Sequence, residues 1–345
     1  MPEGRLKPAP LCLSEGDCDK FSGALLGSWI ADALAMPAHW YYDRFALQRD
    51  YGRITDFVQP KRPHPDSIFW RSRWDAPSPE LDILGDQRPL WGQRGVHYHQ
   101  ALGAGENTLS IKLAGLLWQM LQETGGYDST EYLKRYVDFL APPQNHRDTY
   151  IEECHRGFFS NLGRGIPLEK CGIQERHIGG LVMHLPVALY FGHDADNAHG
   201  IALESLAMTH PGKEMRLAGE AILSLLLPTL NGRPLSEVIL EECSRQRNPF
   251  FGFPFNKWLK RDDEEVIGRL LSTACYIDQA VPAVIYLALK YSDLPEQGLI
   301  ANTNLGGDNV HRGGVLGALL GAANGTANWP RRWREGLAEP PIFIK

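Results

Sequence analysis

Between residues 21 and 36 the apolar pattern is nearly continuous, and small residues recur at every fourth position: Gly23, Gly27, Ala31 and Ala35. On a helix this spacing draws a smooth ridge down one face, suited to close packing of helix on helix. The pattern returns at 313–325 with Gly313, Gly317, Gly321 and Gly325. An interior glycine costs a helix roughly 0.5–1 kcal/mol relative to alanine, so the two ridges are expected to face each other and recover that cost in backbone contact. Asp32, one position past a ridge residue, and Asp308, just before the second ridged helix, are thereby expected at one polar pocket.

Elsewhere the helical period dominates. Leu109, Ile111, Leu113, Leu116, Leu117, Met120 and Leu121 form a wide apolar face after Glu106. Further helices are predicted at 128–140, 148–161, 178–191, 199–207, 213–229, 234–245, 264–272, 278–291 and 294–303. Almost no segment alternates with period two, so the fold class is all-α. The stretch 40–104 carries Pro60, Pro63, Pro65, Pro77, Pro79 and Pro89 among aromatic and charged residues. No useful helix is expected there, and so long an irregular segment reads as a lid-like insertion. The domain reading is a flexible leader at 1–18, one all-α domain at 19–330 and a C-terminal tail at 331–345.

Composition narrows the function classes. A net charge of −6 argues against a surface built to neutralise nucleic-acid phosphates. Six scattered cysteines with no CxxC pair read as reduced thiols. The amino terminus lacks the apolar run of a secretory signal, and no window reaches the roughly 20 apolar residues of a membrane span. A cytoplasmic protein without membrane or nucleic-acid partners is expected.

Four polar clusters fall at or near helix ends: Asp32 with His39; His97 and His99 followed by Gly105-Glu106-Asn107-Thr108; Thr209-His210; and Asp308-Asn309 with His311-Arg312. Helix ends on one side of an all-helical domain readily line a concave site. A buried Asp32 requires a hydrogen-bonding or cationic partner. Asp308 precedes free backbone N–H groups and could act as a cap. Glu106 suits a first helical turn, and His210 before Pro211 suits a turn.

In order along the chain, these pieces resemble a known family. Gly23-Ala-Leu-Leu-Gly27 with Ala31-Asp32-Ala33-Leu34-Ala35, then Met208-Thr209-His210, Val281-Pro282-Ala283, Asn304-Leu305-Gly306-Gly307-Asp308 and Gly317-Ala318-Leu319-Leu320-Gly321-Ala322 resemble the motifs of the ADP-ribosylglycohydrolases. The resemblance spans about residues 21–325. It implies a compact, multi-helix orthogonal bundle whose central pocket holds two magnesium ions and cleaves ADP-ribose from an acceptor.

This chain departs from that pattern at the metal positions. The family's Thr-Asp-Asp-Thr is here Gly105-Glu106-Asn107-Thr108, and its Gly-Gly-Asp-Thr-Asp-Thr retains Asp308 but continues Asn309-Val310-His311. The acidic residue usual after the first helix is His39. Magnesium requires hard oxygen donors in near-octahedral array, and valine offers none. A degraded site is therefore expected, with no certain cofactor or one weak Mg(II) held by Asp308, Glu106 and Thr108. His39 and His311 would suit proton transfer or a softer metal. The strings His97-Tyr98-His99-Gln100, Ala104–Thr108 and Gly306–Gly313 are similar to the divergent branch that includes J-type lens crystallins.

The expected function is hydrolysis of an N- or O-glycosidic bond of ADP-ribose or a related ribosyl compound. Glu106 or Asp308 would steer water or stabilise the oxocarbenium-like transition state, and His39 or His311 would protonate the leaving group. Substrate contacts are expected from Asp32, His97, His99, Asn107, Thr108, His210, Gly306, Gly307, Asn309 and Arg312, with phosphate taken by Arg312 and the glycine turn. The ligand class is a small ribosyl or ADP-ribosyl molecule, with a protein acceptor also possible in kind. The alternative is a non-catalytic, ligand-binding or crystallin-like structural protein.

Overall fold

The computed structural model describes residues 15–343. Its helices are α1 (Glu15–Ala35), α2 (Arg44–Tyr51), α3 (Leu109–Thr124), α4 (Ser129–Leu140), α5 (Glu153–Gly163), α6 (Gly179–Phe191), α7 (Ala195–Thr209) and α8 (Lys213–Leu230). They continue as α9 (Leu235–Arg245), α10 (Phe255–Trp258), α11 (Asp263–Val266), α12 (Ile277–Lys290), α13 (Pro295–Asn304), α14 (Asn309–Asn324) and α15 (Arg331–Gly336). Among the described residues there is no strand, only isolated bridges joining His177 to Tyr276 and Ile267 to Leu271. The fold is the all-α architecture expected.

The centre of the domain is the contact of α1 with α14. A Cβ placed on Gly27 would overlap the Gly317 carbonyl, and one on Gly317 or Gly321 would overlap the carbonyl of Gly27 or Gly23. Missing side chains thus let the two backbones touch, which is the compensation that interior glycines require. Around this pair, α6 is buried from Gly179 through Tyr190, and α8 and α12 bury wide apolar faces. α6 has no polar stripe because every side of it meets another helix.

Several boundaries differ from the sequence expectation. α1 begins at Glu15, inside the segment read as leader, while residues 1–14 lie outside the described residues. The 40–104 segment contains α2, started by Asp43, whose carboxylate accepts from Phe45 N and Ala46 N. The helix expected at 264–272 ends at Val266, because Gly268 (φ +128°) turns the chain so that Ile267 bridges Leu271. The tail is packed: Trp333 on α15 is fully buried, and Trp118 Nε1 donates to Ile342 O at 2.8 Å.

Candidate functional site

The turn before α14 places Asp308. Gly306 and Gly307 both have φ near +63°, and a Cβ on either would strike the carbonyl of Tyr41 or Thr273. Only glycine meets both demands. Gly307 N donates to Tyr41 O at 2.7 Å, Trp40 N to Gly307 O at 2.8 Å and Asp308 N to Thr273 O at 2.9 Å. These bonds fix the turn against the chain leaving α1, and they occupy the donors expected to bind phosphate.

Arg312 braces the same turn. Fully buried, it donates through Nε to Asn302 Oδ1 at 2.7 Å and through Nη2 to the carbonyls of Asn302 and Gly306. Burial lowers its pKa to about 10. Asn309 Nδ2 donates to Thr303 O at 2.8 Å. The expected phosphate-binding role of Arg312 thus meets a guanidinium whose Nε and Nη2 are engaged inside the fold, while its Nη1 is buried without a hydrogen-bond partner.

At the heart of the site is a buried chain of acids and imidazoles. His99 Nδ1 lies 2.7 Å from Asp148 Oδ1, and His99 Nε2 lies 2.6 Å from His39 Nδ1. His39 Nε2 reaches Asp308 Oδ1 at 2.9 Å, and the same oxygen pairs with His311 Nδ1 at 2.8 Å. His311 Nε2 then lies 3.0 Å from Ser110 Oγ and 3.3 Å from Glu152 Oε1, with Ser110 Oγ donating to Glu152 Oε1 at 2.6 Å. Asp308 Oδ2 is buried without a hydrogen-bond partner.

Around Asp308 the acids and imidazoles perturb one another. Burial alone would raise Asp308, but His311 and His39 outweigh it and hold the carboxyl well below its ordinary range. Glu152 is likewise held low, by His311 against its own burial. Burial alone would lower His311, yet Asp308 and Glu152 lift its pKa well above the usual imidazole value. Burial brings His39 down to about 4, against the pull of Asp308. At neutral pH a neutral His39 and a cationic His311 therefore flank an anionic Asp308.

Asp32 is a separate anchor. Its Oδ1 accepts from Thr108 N and Asn107 Nδ2, each at 2.8 Å, and its Oδ2 accepts from Thr108 Oγ1 at 2.6 Å. Burial raises its pKa against these bonds. Asp32 thus ties α1 to the start of α3, where Asp148 Oδ2 also accepts from Leu109 N at 2.9 Å. The two ridged helices meet as expected, but Asp32 and Asp308 serve different networks. Thr108 donates to Asp32 through both its N–H and its hydroxyl, and Asn107 Nδ2 is shared between Asp32 and Trp29 O.

Glu106 does not join the cluster. Its carboxylate is half-buried against Gly103 N and Arg147, which hold its pKa down against burial. His97 is a brace: its Nε2 faces Pro37 O at 2.9 Å and its Nδ1 accepts from His99 N at 3.0 Å. His210 stands with Glu175 and Thr209, not with Asp308. The acids that complete the chain, Asp148 and Glu152, were overlooked because their spacing of four reads as one helix face.

The donor set bears on magnesium. Of Asp308, Glu106 and Thr108, only Asp308 keeps a free oxygen within the cluster, and its nearest companions are the imidazoles of His39 and His311. Val310 lies among Ala35, Met36 and Leu102, an apolar patch where another oxygen donor would be needed. These residues do not fit a paired, oxygen-rich magnesium site.

A model of the ADP-ribosylglycohydrolase family matches residues 14–344. A solved structure described as an "ADP-ribosylglycohydrolase-related protein complex" shares the fold with a TM-score of 0.63 at 20% identity, covering 94% of each chain. No curated protein matches in sequence. With the family motifs in order along an all-helical chain and the family model matched over nearly its whole length, the chain belongs to the ADP-ribosylglycohydrolase family.

Proposed function

We propose that this chain hydrolyses an N- or O-glycosidic bond of a ribosyl or ADP-ribosyl compound without the paired magnesium ions. The observation that carries the reading is Asp308 itself: one oxygen is gripped by two imidazoles, while the other is buried and unpartnered. A carboxylate so oriented stabilises positive charge developing at the anomeric carbon. His311, held cationic, gives its proton to the leaving group as the glycosidic bond breaks. Water then adds its hydroxide to the sugar and returns a proton to His311.

Ligand recognition in this reading comes from aromatic residues. Tyr42 and Tyr276 are both exposed, at 44% and 51%. Their faces can stack a base.

The second reading, a non-catalytic binding or structural protein, is favoured by the depth of the cluster: His39, Asp308 and His311 are 1%, 0% and 4% exposed. The crystallin-like strings support the same reading. A hydrolysis screen over ADP-ribosyl and simple nucleoside substrates separates the two. Hydrolysis that falls roughly a hundredfold or more in His311→Gln supports the enzyme, in line with loss of a proton donor. Ligand binding with no turnover supports the alternative.

A further inference from the structure

A second buried cluster lies on the other side of the start of α6. A Cβ on Gly179 would approach the His311 ring, whereas one on the next residue, Gly180, would press on the ring of His210. Beyond Gly180, Cys154 Sγ, a Glu175 carboxylate oxygen and a His210 ring nitrogen all lie within 4.8 Å of one another. Their residues are 1%, 7% and 1% exposed. They come from the first turn of α5, the connection before α6 and the end of α7.

The polar atoms here are incompletely paired. His210 Nε2 is buried without a hydrogen-bond partner, and so are both oxygens of Glu175. What Glu175 has are ionic contacts, to His177 and, at 3.5 Å, to His210 Nε2. His210 is oriented through its other nitrogen, which lies 2.8 Å from Thr209 Oγ1, and Thr209 is in turn held by His184 Nε2 at 2.9 Å. An imidazole fixed at Nδ1 by an outer partner, with Nε2 free, is how a metal-binding histidine is usually presented.

We propose that Cys154, Glu175 and His210 form a site for one zinc-class divalent cation. A thiolate, an imidazole and a carboxylate are a zinc donor set and a poor magnesium set. Tetrahedral coordination with zinc–ligand bonds of about 2.0–2.3 Å separates ligand atoms by roughly 3.6 Å, a short contraction from the observed cluster. Binding displaces the Cys154 thiol proton to solvent, so thiolate and carboxylate together neutralise the two charges of the ion. Water takes the fourth position. The ion would clamp α5, the 164–178 connection and α7 together, and it shares no residue with the Asp308 chain.

Sulfur makes the site distinguishable. The full chain, stripped with a chelator, is titrated with cobalt(II) and followed by absorption, and a second sample is loaded with zinc and analysed for bound metal. The expected result is one tightly bound ion with a near-ultraviolet thiolate-to-cobalt band, bleached by zinc, and a raised thermal midpoint. The band disappears in Cys154→Ser, persists in Cys275→Ser, and requires more than an order of magnitude more cobalt in His210→Gln. Absence of the band in the folded wild-type protein, or its persistence in Cys154→Ser, would overturn the site. Because His39, Asp308 and His311 contain no sulfur, a metal bound there without the band counts against the proposal.

Discussion

His39 and His99 stack nearly parallel, their planes 10° apart and their ring centroids separated by 4.9 Å, with His39 Nδ1 lying 2.6 Å from His99 Nε2. The outer nitrogens of the pair face Asp308 and Asp148. A single proton in that short gap links the two rings, so the tautomer of one sets the tautomer of the other. The chain from Asp148 to Glu152 runs acid, imidazole, imidazole, acid, imidazole, acid.

This arrangement fixes tautomers that nitrogen-15 NMR can read. At neutral pH, His39 is expected as a neutral ring carrying its proton on Nε2, and His311 is expected with both nitrogens protonated. A neutral His311 at pH 7 would contradict the charge pattern.

Stability should peak near pH 6.5 and fall on both sides. His39, His64, His146 and His155 are each lowered to about 4, chiefly by burial. The unfolded chain takes up these protons first, so stability is lost as the pH drops from 6.5 toward 4. His177 has the opposite sign: burial would lower it, but Cys275 and Glu175 raise it to about 11, so its contribution is lost as pH rises from 6.5 through that value. Urea unfolding between pH 4 and 9 should trace this dome. In His64→Phe, which keeps the stack on Tyr41, the acid limb should be shallower. An unchanged acid limb would remove His64 from this account.

The helix contact gives a prediction whose sign is opposite to helix propensity. At an exposed site Gly→Ala would stabilise by about 1 kcal/mol. Gly317→Ala instead forces a methyl group against the Gly27 carbonyl, and a net loss of about 1–3 kcal/mol is expected by thermal or urea unfolding. A stabilised Gly317→Ala protein would show that the ridges yield.

The ridge was readable because glycine at every fourth position has few other uses in a buried helix. Gly27 and Gly317 met as that pattern required. The helix predicted at 148–161 illustrates what pattern alone misses. Asp148 and Glu152 share a helical spacing, yet α5 starts at Glu153, and the extended residues before it carry both acids into the site. Their partners, His99 and His311, lie far away in sequence, and no local signal reports such a pairing. Asp308 and His39 were recognisable as polar residues at helix ends, whereas Glu106, equally acidic, proved to be taken by Arg147.

Val310 tests whether the metal pair can be rebuilt by one change. Val310→Asp would put a carboxylate among Ala35, Met36 and Leu102, at an expected cost of several kcal/mol. Magnesium is not expected to restore that stability, because Thr108 and Asn107 remain tied to Asp32. Full recovery on adding magnesium would show that the other donors can reorganise.

The most direct test of the central claim is the hydrolysis rate of an ADP-ribosyl substrate in magnesium-free buffer and with magnesium added, for the wild type and Asp308→Asn. The account predicts wild-type turnover that magnesium leaves unchanged, and a loss of about a hundredfold or more in Asp308→Asn under both conditions. Turnover that appears only with magnesium, or survives intact in Asp308→Asn, would contradict it.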